Sequence, residues 1–226
     1  MDKLNKILSD KNCFIFDFDG VIKDSVNIKT EAFEEIYQPY GNEIVRKVRD
    51  YHIENGGLSR FEKFKYYEEI LLNKKISKNK INNLSKKFSH IVKSRVISSP
   101  PLPGIIDFLE LLHSKNISLF INSATPLEEL QEIIIKCNYD KYFVKVFGSP
   151  NSKTQNLLSI LSEFDFQSKN AVFFGDARND LIASYETDIS FIGVGNLFEK
   201  SEIQRVKNYY LINDFTDIKL NNFIKR

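Results

Sequence analysis

The sequence lacks long apolar runs, a signal peptide and enough cysteines for a disulfide framework. No apolar run approaches the roughly 18 residues that a membrane-spanning helix needs. The first twelve residues, MDKLNKILSDKN, contain no apolar signal region. Two cysteines, Cys13 and Cys137, cannot build a disulfide framework, and their apolar neighbours favour small buried residues. These absences predict a reduced, cytoplasmic protein that does not enter the membrane.

Neither sign of charge dominates the chain. It carries 32 Lys and Arg against 30 Asp and Glu, for a net charge of +2, and no basic block stands out. We therefore expect no nucleic-acid partner. Its 226 residues, 42% of them apolar, suffice for one large domain or for a domain with an insertion. Internal repeats and low-complexity tracts are absent.

The most informative stretch lies between Cys13 and Ser25. Its apolar opening, CFIF, predicts a buried strand at 13–17, and Asp17, Asp19 and Gly20 follow. Ligands of parallel sheets collect beyond the carboxyl ends of the strands. Two carboxylates this close repel each other unless one takes a proton or a cation lies between them, and Mg²⁺ prefers such hard oxygen ligands. The alternative is a solvated acidic turn.

The predicted secondary structure of the rest of the chain changes once, from helices alone to helices that alternate with strands. Helical patterns fill 25–38, with Ser25 as a plausible N-cap, and then 43–53, 59–73 and 77–95. After the Pro-rich break at 99–104, helices alternate with strands, and a short apolar segment at 209–212 and a weak helical pattern end the chain. The helices are predicted at 104–115, 126–137, 153–164 and 178–186, and the strands at 117–122, 144–148, 170–176 and 189–195.

This alternation predicts a parallel sheet covered by helices on both faces. Because the helical block separates the first strand from the others, we expect an α/β core of residues 1–23 and 96–226. A helical domain of residues 24–95 would be inserted directly after the first strand.

Three further strand ends or helix starts carry polar residues. Ser123, in the segment SATP, suits a phosphate, and the alternative is a serine N-cap followed by proline. Lys153 opens a helix, where its charge opposes the helix dipole, so it is either a placed charge or a surface lysine. Asp176 ends a strand and Asp180 lies one helical turn later, but acids at a helix start are also common caps.

These elements appear in the order DFDGVIKDS, SATP, a lysine and GDxxxD. In that order they resemble the haloacid dehalogenase superfamily of phosphotransferases, specifically the subfamily with a helical cap inserted after the first motif. The resemblance covers essentially the whole chain. It implies a Rossmann-like parallel core with an inserted α-helical cap domain.

The resemblance also implies catalytic roles. Asp17 would be the nucleophile that becomes an aspartyl phosphate, and Asp19 the general acid that later serves as the base. Ser123 would hold phosphoryl oxygens together with nearby backbone N–H groups, and Lys153 would neutralise charge and orient Asp17. The residues expected to contact substrate beside these are Phe18, Gly20 and Ala124.

A Mg²⁺ site is implied at the same place. Asp17, Asp176 and the backbone carbonyl of Asp19 would be its ligands, and Asp180 would be a further ligand or a partner of the ligands. The dehalogenases of the superfamily lack the second acid and need no metal, so Asp19 and Asp176 argue against dehalogenation.

The cap offers two candidate substrate contacts. Arg60 follows two glycines in a loop, GLSR, that resembles the specificity loop of sugar-phosphate-handling members, including β-phosphoglucomutase. The alternative is that Ser59 caps the next helix and Arg60 points to solvent. Mutases of that type carry a histidine early in the first cap helix, where this chain has Lys29, which we expect to be a charge contact. His52 is expected to be a surface or core histidine.

The resulting expectation is a Mg²⁺-dependent phosphatase of a small phosphorylated metabolite, such as a sugar phosphate or phosphoglycolate. Two alternatives stay open. One is a phosphosugar mutase, which the absence of the histidine disfavours. The other is a non-catalytic module that binds phosphorylated ligands, which the complete set of motif residues disfavours.

Overall fold

In the computed structural model, which describes residues 3–195, 198 and 200–220, six strands form one sheet. All neighbouring strands run parallel, in the order β3-β2-β1-β4-β5-β6. The predicted parallel α/β core is therefore confirmed. The strands are β1 (Cys13–Phe16), β2 (Ser118–Pro126), β3 (Lys145–Ser149), β4 (Ala171–Gly175), β5 (Ser190–Val194) and β6 (Tyr209–Ile212).

Helices surround this sheet and also fill the segment between β1 and β2. They are α1 (Lys3–Leu8), α2 (Val26–Tyr37), α3 (Asn42–Glu54), α4 (Arg60–Tyr66), α5 (Lys78–Ser98), α6 (Ile105–Ser114), α7 (Leu127–Lys136), α8 (Lys153–Glu163), α9 (Arg178–Thr187) and α10 (Lys200–Ile203). We call α2 to α5 the cap helices. None of the helices described is both long and apolar enough to cross a membrane.

Strand β1 lies at the centre of the sheet, between β2 and β4. Its four residues are fully buried because helices cover both faces of the sheet, which explains why the segment is apolar without alternation. Phe14 and Phe16 point to one face, and Phe16 stacks on Phe174 with ring centroids 4.8 Å apart. Cys13 and Ile15 belong to the second core cluster on the other face. This central position brings the end of β1 into the middle of the molecule.

The cap helices share an aromatic core. The ring of Phe33 in α2 lies 4.3 Å from that of Phe88 in α5 and 5.4 Å from that of Phe64 in α4. Helix α5 also packs on α7 of the core. The boundaries of a separate cap domain at residues 24 and 95 stay a prediction.

The structure departs from the predicted elements in a few places. Helix α1 was not predicted, since it is short and polar and depends on burying apolar residues such as Leu4 and Leu8. Strand β2 continues to Pro126, so α7 begins one residue after the proline. The apolar segment at 209–212 forms β6. Part of the weak helical pattern after it lies outside the described residues, and within 213–220 one 3₁₀ turn forms, Phe215–Asp217.

Candidate active site

Three aspartates meet beyond the carboxyl ends of the central strands. Asp17 follows β1, Asp176 follows β4, and Asp180 lies in the first turn of α9. One carboxylate oxygen of each lies within 4.8 Å of the others. Adjacent parallel strands place their carboxyl ends at one edge of the sheet, which is why residues 159 positions apart come together here.

Lys153 binds two of these carboxylates. Its Nζ lies 2.6 Å from Asp17 Oδ2 and also forms an ion pair with Asp180 Oδ1. Only 6% of Lys153 is exposed, so the alternative of a surface lysine is wrong. Asp180 Oδ2 accepts a hydrogen bond from the N–H of Ala177 (3.0 Å), so Asp180 both caps α9 and belongs to the cluster. The second oxygen of Asp17 accepts from the N–H of Phe18 (2.7 Å).

Burial and mutual repulsion disfavour the ionised forms of Asp17 and Asp176. Burial, together with Asp180 and Asp19, raises the pKa of Asp17 to about 7, although Lys153 opposes the shift. Burial and the neighbouring Asp17 and Asp180 raise the pKa of Asp176 well above its usual range. For Lys153, burial alone would lower the pKa, but the two carboxylates outweigh it and the pKa is raised.

The cluster therefore combines three carboxylates with one ammonium. Its donors are hard oxygens, and their negative charge is only partly balanced by Lys153. This donor set fits a hard divalent cation.

Gly20 is the residue that allows Asp176 to reach this cluster. Its φ is +79°, a conformation that L side chains rarely adopt, and a Cβ there would lie 2.1 Å from Asp176 Oδ2. The glycine of DFDG is thus required by both backbone conformation and space. Direct substrate contacts by Gly20 and Phe18 stay predictions.

Asp19 is held apart from the three-aspartate cluster by its own partners. Ser25 donates to Asp19 Oδ1 (2.6 Å), and Lys29 forms an ion pair with Oδ2. Thr125 Oγ1 lies 3.3 Å from Oδ2 and accepts from Lys29 Nζ at 2.8 Å. Ser25 occupies the N-cap position of α2, but its hydroxyl makes no capping bond. Sequence reasoning missed Thr125, whose signal is that it lies two residues after Ser123 on the same strand.

These partners reverse the effect of burial on Asp19. Burial alone would raise the pKa of its carboxyl, but the charge of Lys29 and the hydrogen bonds from Lys29 and Ser25 hold it below the usual value. Asp17 and Asp19, two positions apart, therefore have pKa values displaced in opposite directions.

Ser123 and Ala124 line the cavity beside Asp17 and Asp19. Ser123 lies within β2, so its alternative role as the N-cap of α7 is wrong. Its Oγ accepts a hydrogen bond from the N–H of Thr125 (3.1 Å). Neighbouring Asn122 donates to the carbonyl of Lys153 (2.9 Å), and Asn156 donates to Asn122 (3.0 Å). This amide pair, which sequence reasoning missed, positions the start of α8 against β2.

The cap helices and the core enclose a cavity of about 490 Å³ that Asp17, Asp19 and Asp176 line. The loop after α3 closes on the rim of the core at two glycines. A Cβ on Gly56 would lie 3.0 Å from that of Ala177, and one on Gly57 would lie 3.2 Å from that of Asn179. The site is therefore a covered pocket.

Arg60 lines the cavity, yet its guanidinium is bound to protein. Its Nη1 and Nη2 donate to Glu129 of α7 at 2.8 and 2.6 Å, and Nη1 also donates to Ser89 (2.8 Å). Ser59 does cap α4, by accepting from the N–H of Glu62 (3.4 Å), but Arg60 is only 4% exposed, so the alternative that it points to solvent is wrong. A contact between Arg60 and substrate stays a prediction. In the structure Arg60 joins a cap helix to the core.

We expect Glu129→Gln to destabilise the protein, because it leaves the Arg60 guanidinium buried without a counter-charge. Loss of one partner of a buried pair costs about 3–5 kcal/mol. The glutamine amide keeps only one acceptor oxygen for the two guanidinium nitrogens that Glu129 binds. Urea unfolding would measure it. In the matched control, Glu43→Gln, an exposed pair with Lys47 is broken, which should cost less than about 1 kcal/mol. Equal losses in the two variants would contradict this account of the Arg60 ion pair.

Comparison with known proteins identifies the family. The family model for haloacid dehalogenase-like hydrolases matches residues 14–194. The chain belongs to this family. It is 29% identical over 185 residues to a phosphorylated carbohydrates phosphatase of Thermotoga maritima, an alignment that covers 79% of this chain and 82% of the relative. It is 25% identical over 97 residues to a phosphoglycolate phosphatase of Haemophilus influenzae, covering 41% of this chain and 43% of that protein.

The fold is shared with solved structures of the family. The crystal structure of β-phosphoglucomutase from Clostridium difficile superposes with a TM-score of 0.75 at 20% identity, and the match covers 96% of this chain and all of that chain. The predicted superfamily and the enzyme class of a phosphatase-type hydrolase are thereby confirmed.

Proposed function

We propose that this protein is a Mg²⁺-dependent phosphatase that hydrolyses the phosphomonoester of a small metabolite, a sugar phosphate or a phosphoglycolate-like acid, through an aspartyl phosphate. One observation carries the proposal: Asp17 lies in a covered cavity with one carboxylate oxygen against Lys153, and Asp19 lies two residues away with separate partners. The names of the two relatives support the same substrate classes.

In the first step, a carboxylate oxygen of Asp17 attacks phosphorus while the bond from phosphorus to the ester oxygen breaks. Because Lys29 favours the carboxylate form of Asp19, Asp19 first takes up a proton and then gives that proton to the departing oxygen, which leaves as an alcohol. Lys153 and the Ser123 hydroxyl, with the N–H of Ala124, stabilise the negative charge of the phosphoryl oxygens.

In the second step, Asp19 takes a proton from water, and the resulting hydroxide attacks the phosphorus of the aspartyl phosphate. The bond between phosphorus and the Asp17 oxygen breaks, which releases inorganic phosphate and restores the Asp17 carboxylate. The Lys29 contact favours the ionised form of Asp19, which is the form that activates water.

The residues proposed to hold Mg²⁺ are Asp17, Asp176 and the backbone carbonyl of Asp19, with Asp180 as a further ligand or a partner of the ligands. A bound Mg²⁺ would supply positive charge that offsets the repulsion between an anionic substrate and the carboxylates. The mutase alternative has less support, because Lys29 occupies the position of the mutase histidine and is committed to Asp19 and Thr125.

The test is phosphate release from a panel of sugar phosphates, phosphoglycolate and nucleotides, with Mg²⁺ and after chelation. We expect release only with Mg²⁺, and a phosphoryl group trapped on Asp17 when the reaction is quenched early. Isomerised sugar phosphate without net phosphate release would instead favour the mutase. Metal binding without either product would favour a binding module.

A further inference from the structure

The cap contributes a buried lysine that the chemistry above does not use. Lys63 lies in the middle of α4, is only 2% exposed, and lines the same cavity as Asp17 and Asp19. Its Nζ lies 2.8 Å from Nδ1 of His52, which is itself buried in α3 and lines the cavity. Two cap helices therefore place a polar pair against the substrate space.

Among the described residues, none provides a direct counter-charge for Lys63. Lys29 and Lys153 each form ion pairs with aspartates, whereas no carboxylate of residues 3–195, 198 and 200–220 forms one with Lys63. Its close neighbours are the imidazole of His52 and the ring of Phe33, whose centroid lies 5.8 Å from Nζ. A buried ammonium in such surroundings is costly unless a ligand supplies an anion.

His52 orients this lysine and does not compete with it for charge. Burial, then the nearby Lys63 and Lys29, lowers the pKa of His52 to about 2, so the ring is neutral. An ammonium can only donate, so Nδ1 of His52 accepts and the ring proton lies on Nε2. The ring also packs on Phe33, with centroids 5.0 Å apart, which holds its orientation.

The charged groups around Lys63 make its protonation sensitive to a bound anion. Burial, then Lys29 of α2 and Lys153 of α8, lowers the pKa of Lys63 to about 7, while Asp176 and Asp19 oppose the shift. A second anionic group of a substrate beside Nζ would favour the ammonium form.

We infer that Lys63, oriented by His52, binds a second anionic group of the substrate, a carboxylate or a further phosphate, at the cap end of the cavity. This inference rests on the proposed phosphatase function and narrows its substrate class. The phosphoryl group to be transferred lies at Asp17, and the second anion lies toward α4. A cavity of about 490 Å³ is within the usual range for small-molecule sites, about 300–1,000 Å³.

Matched substrate pairs test this inference without any mutation. One pair is phosphoglycolate and 2-hydroxyethyl phosphate, which differ by a carboxylate, and the other is fructose 1,6-bisphosphate and fructose 6-phosphate. We expect kcat/KM to favour the member that carries the second anionic group in at least one pair by about tenfold or more, as one charge-assisted hydrogen bond would give. The pair that shows the preference identifies carboxylate or phosphate as the anion.

The preference for the substrate with the second anionic group should depend on pH in one direction. Lys63 is charged below about pH 7, so the preference for the carboxylate-bearing substrate should fall as the pH rises from about 6 to about 9, a range in which that carboxylate stays ionised. Lys63→Arg, whose charge does not titrate there, should keep the preference at high pH.

Lys63→Met is expected to remove the preference, by about 10-fold to 100-fold in the ratio of kcat/KM within the pair. The exposed Lys65→Met, on the same helix, is the matched control and should leave the ratio unchanged. An active wild-type phosphatase without preference for either charged member would overturn the inference and leave the proposed function intact. Absence of phosphate release from all four substrates with Mg²⁺ would overturn the proposed function itself and, with it, this inference.

Discussion

Asp17→Asn should lower phosphate release by at least about 10⁴-fold, because the amide cannot act as the nucleophile that forms the covalent intermediate. The substitution keeps the shape of a buried side chain, and Lys153 keeps Asp180 as its partner. Loss of activity should therefore occur in a folded protein. Steady-state release and the absence of trapped phosphoprotein would measure it. The control is Asp50→Asn on the exposed surface of α3, which should be as active as the wild type.

The same substitution should stabilise the protein when no metal is bound. The pKa of Asp17 is about 7 in the folded protein against about 3.9 when unfolded, so the folded state keeps a proton that the unfolded state releases. The contribution of protonated Asp17 to the free energy of unfolding is thus fully present below about pH 4 and is lost as the pH rises to about 7. Asp17→Asn lacks this loss, so its melting temperature should exceed that of the wild type by about 2 °C or more at pH 8, and by less at pH 5.

Added Mg²⁺ should reverse this order, because it stabilises the protein that retains all three carboxylates. If the metal-free Asp17→Asn variant melted at a lower temperature than the metal-free wild type at pH 8, the claim that the Asp17 carboxylate destabilises the folded protein would be contradicted. Appreciable turnover of the variant would contradict its role as the nucleophile.

Asp19→Asn should lower turnover by about 10²–10⁴-fold, the usual contribution of general acid–base catalysis. Metal binding should persist, since the asparagine keeps its backbone carbonyl and the three-aspartate cluster is unchanged. Turnover and Mg²⁺ binding by calorimetry, measured on the same preparation, separate the two effects. Near-wild-type turnover would contradict the assignment.

Lys29→Met distinguishes a catalytic Asp19 from one that only anchors Lys29. If the Asp19 carboxylate mattered only for the ion pair, removing either partner would lower turnover by the same factor. We expect Lys29→Met to lower turnover about tenfold, a much smaller loss than that expected for Asp19→Asn. We also expect the acidic limb of its pH profile to move to higher pH, because burial then raises the pKa of Asp19 without opposition from Lys29.

The positions of the core motif residues were predictable because they depend on local pattern and chain order. An apolar run followed by Asp17, Asp19 and Gly20 identifies the end of a buried strand, and the GDxxxD segment does the same for β4. In a parallel sheet, strand ends share one edge, so these patterns place the aspartates at that edge. That β1 and β4 are neighbours, which brings Asp17 and Asp176 together, is shown by the tertiary structure and was implied beforehand only by the family resemblance.

Local pattern could not distinguish the alternatives at single residues. A capping acid, a surface lysine and a site residue look the same in sequence at Asp180 and Lys153, and only their burial in one ion-paired cluster separated them. The same holds for Ser123, whose place within β2 depended on how far the strand continued before α7.

The cap helices show most clearly which contacts could not be predicted from the sequence. Sequence alone determined that a helical segment follows the first motif and that the GLSR loop, with Arg60, precedes one of its helices. Only the tertiary structure decided that Arg60 binds Glu129, 69 residues away, and that Lys63 meets His52 from another helix. These pairings depend on how helices pack across the cap and against the core, and side-chain contacts between distant elements leave no periodic signal in the chain.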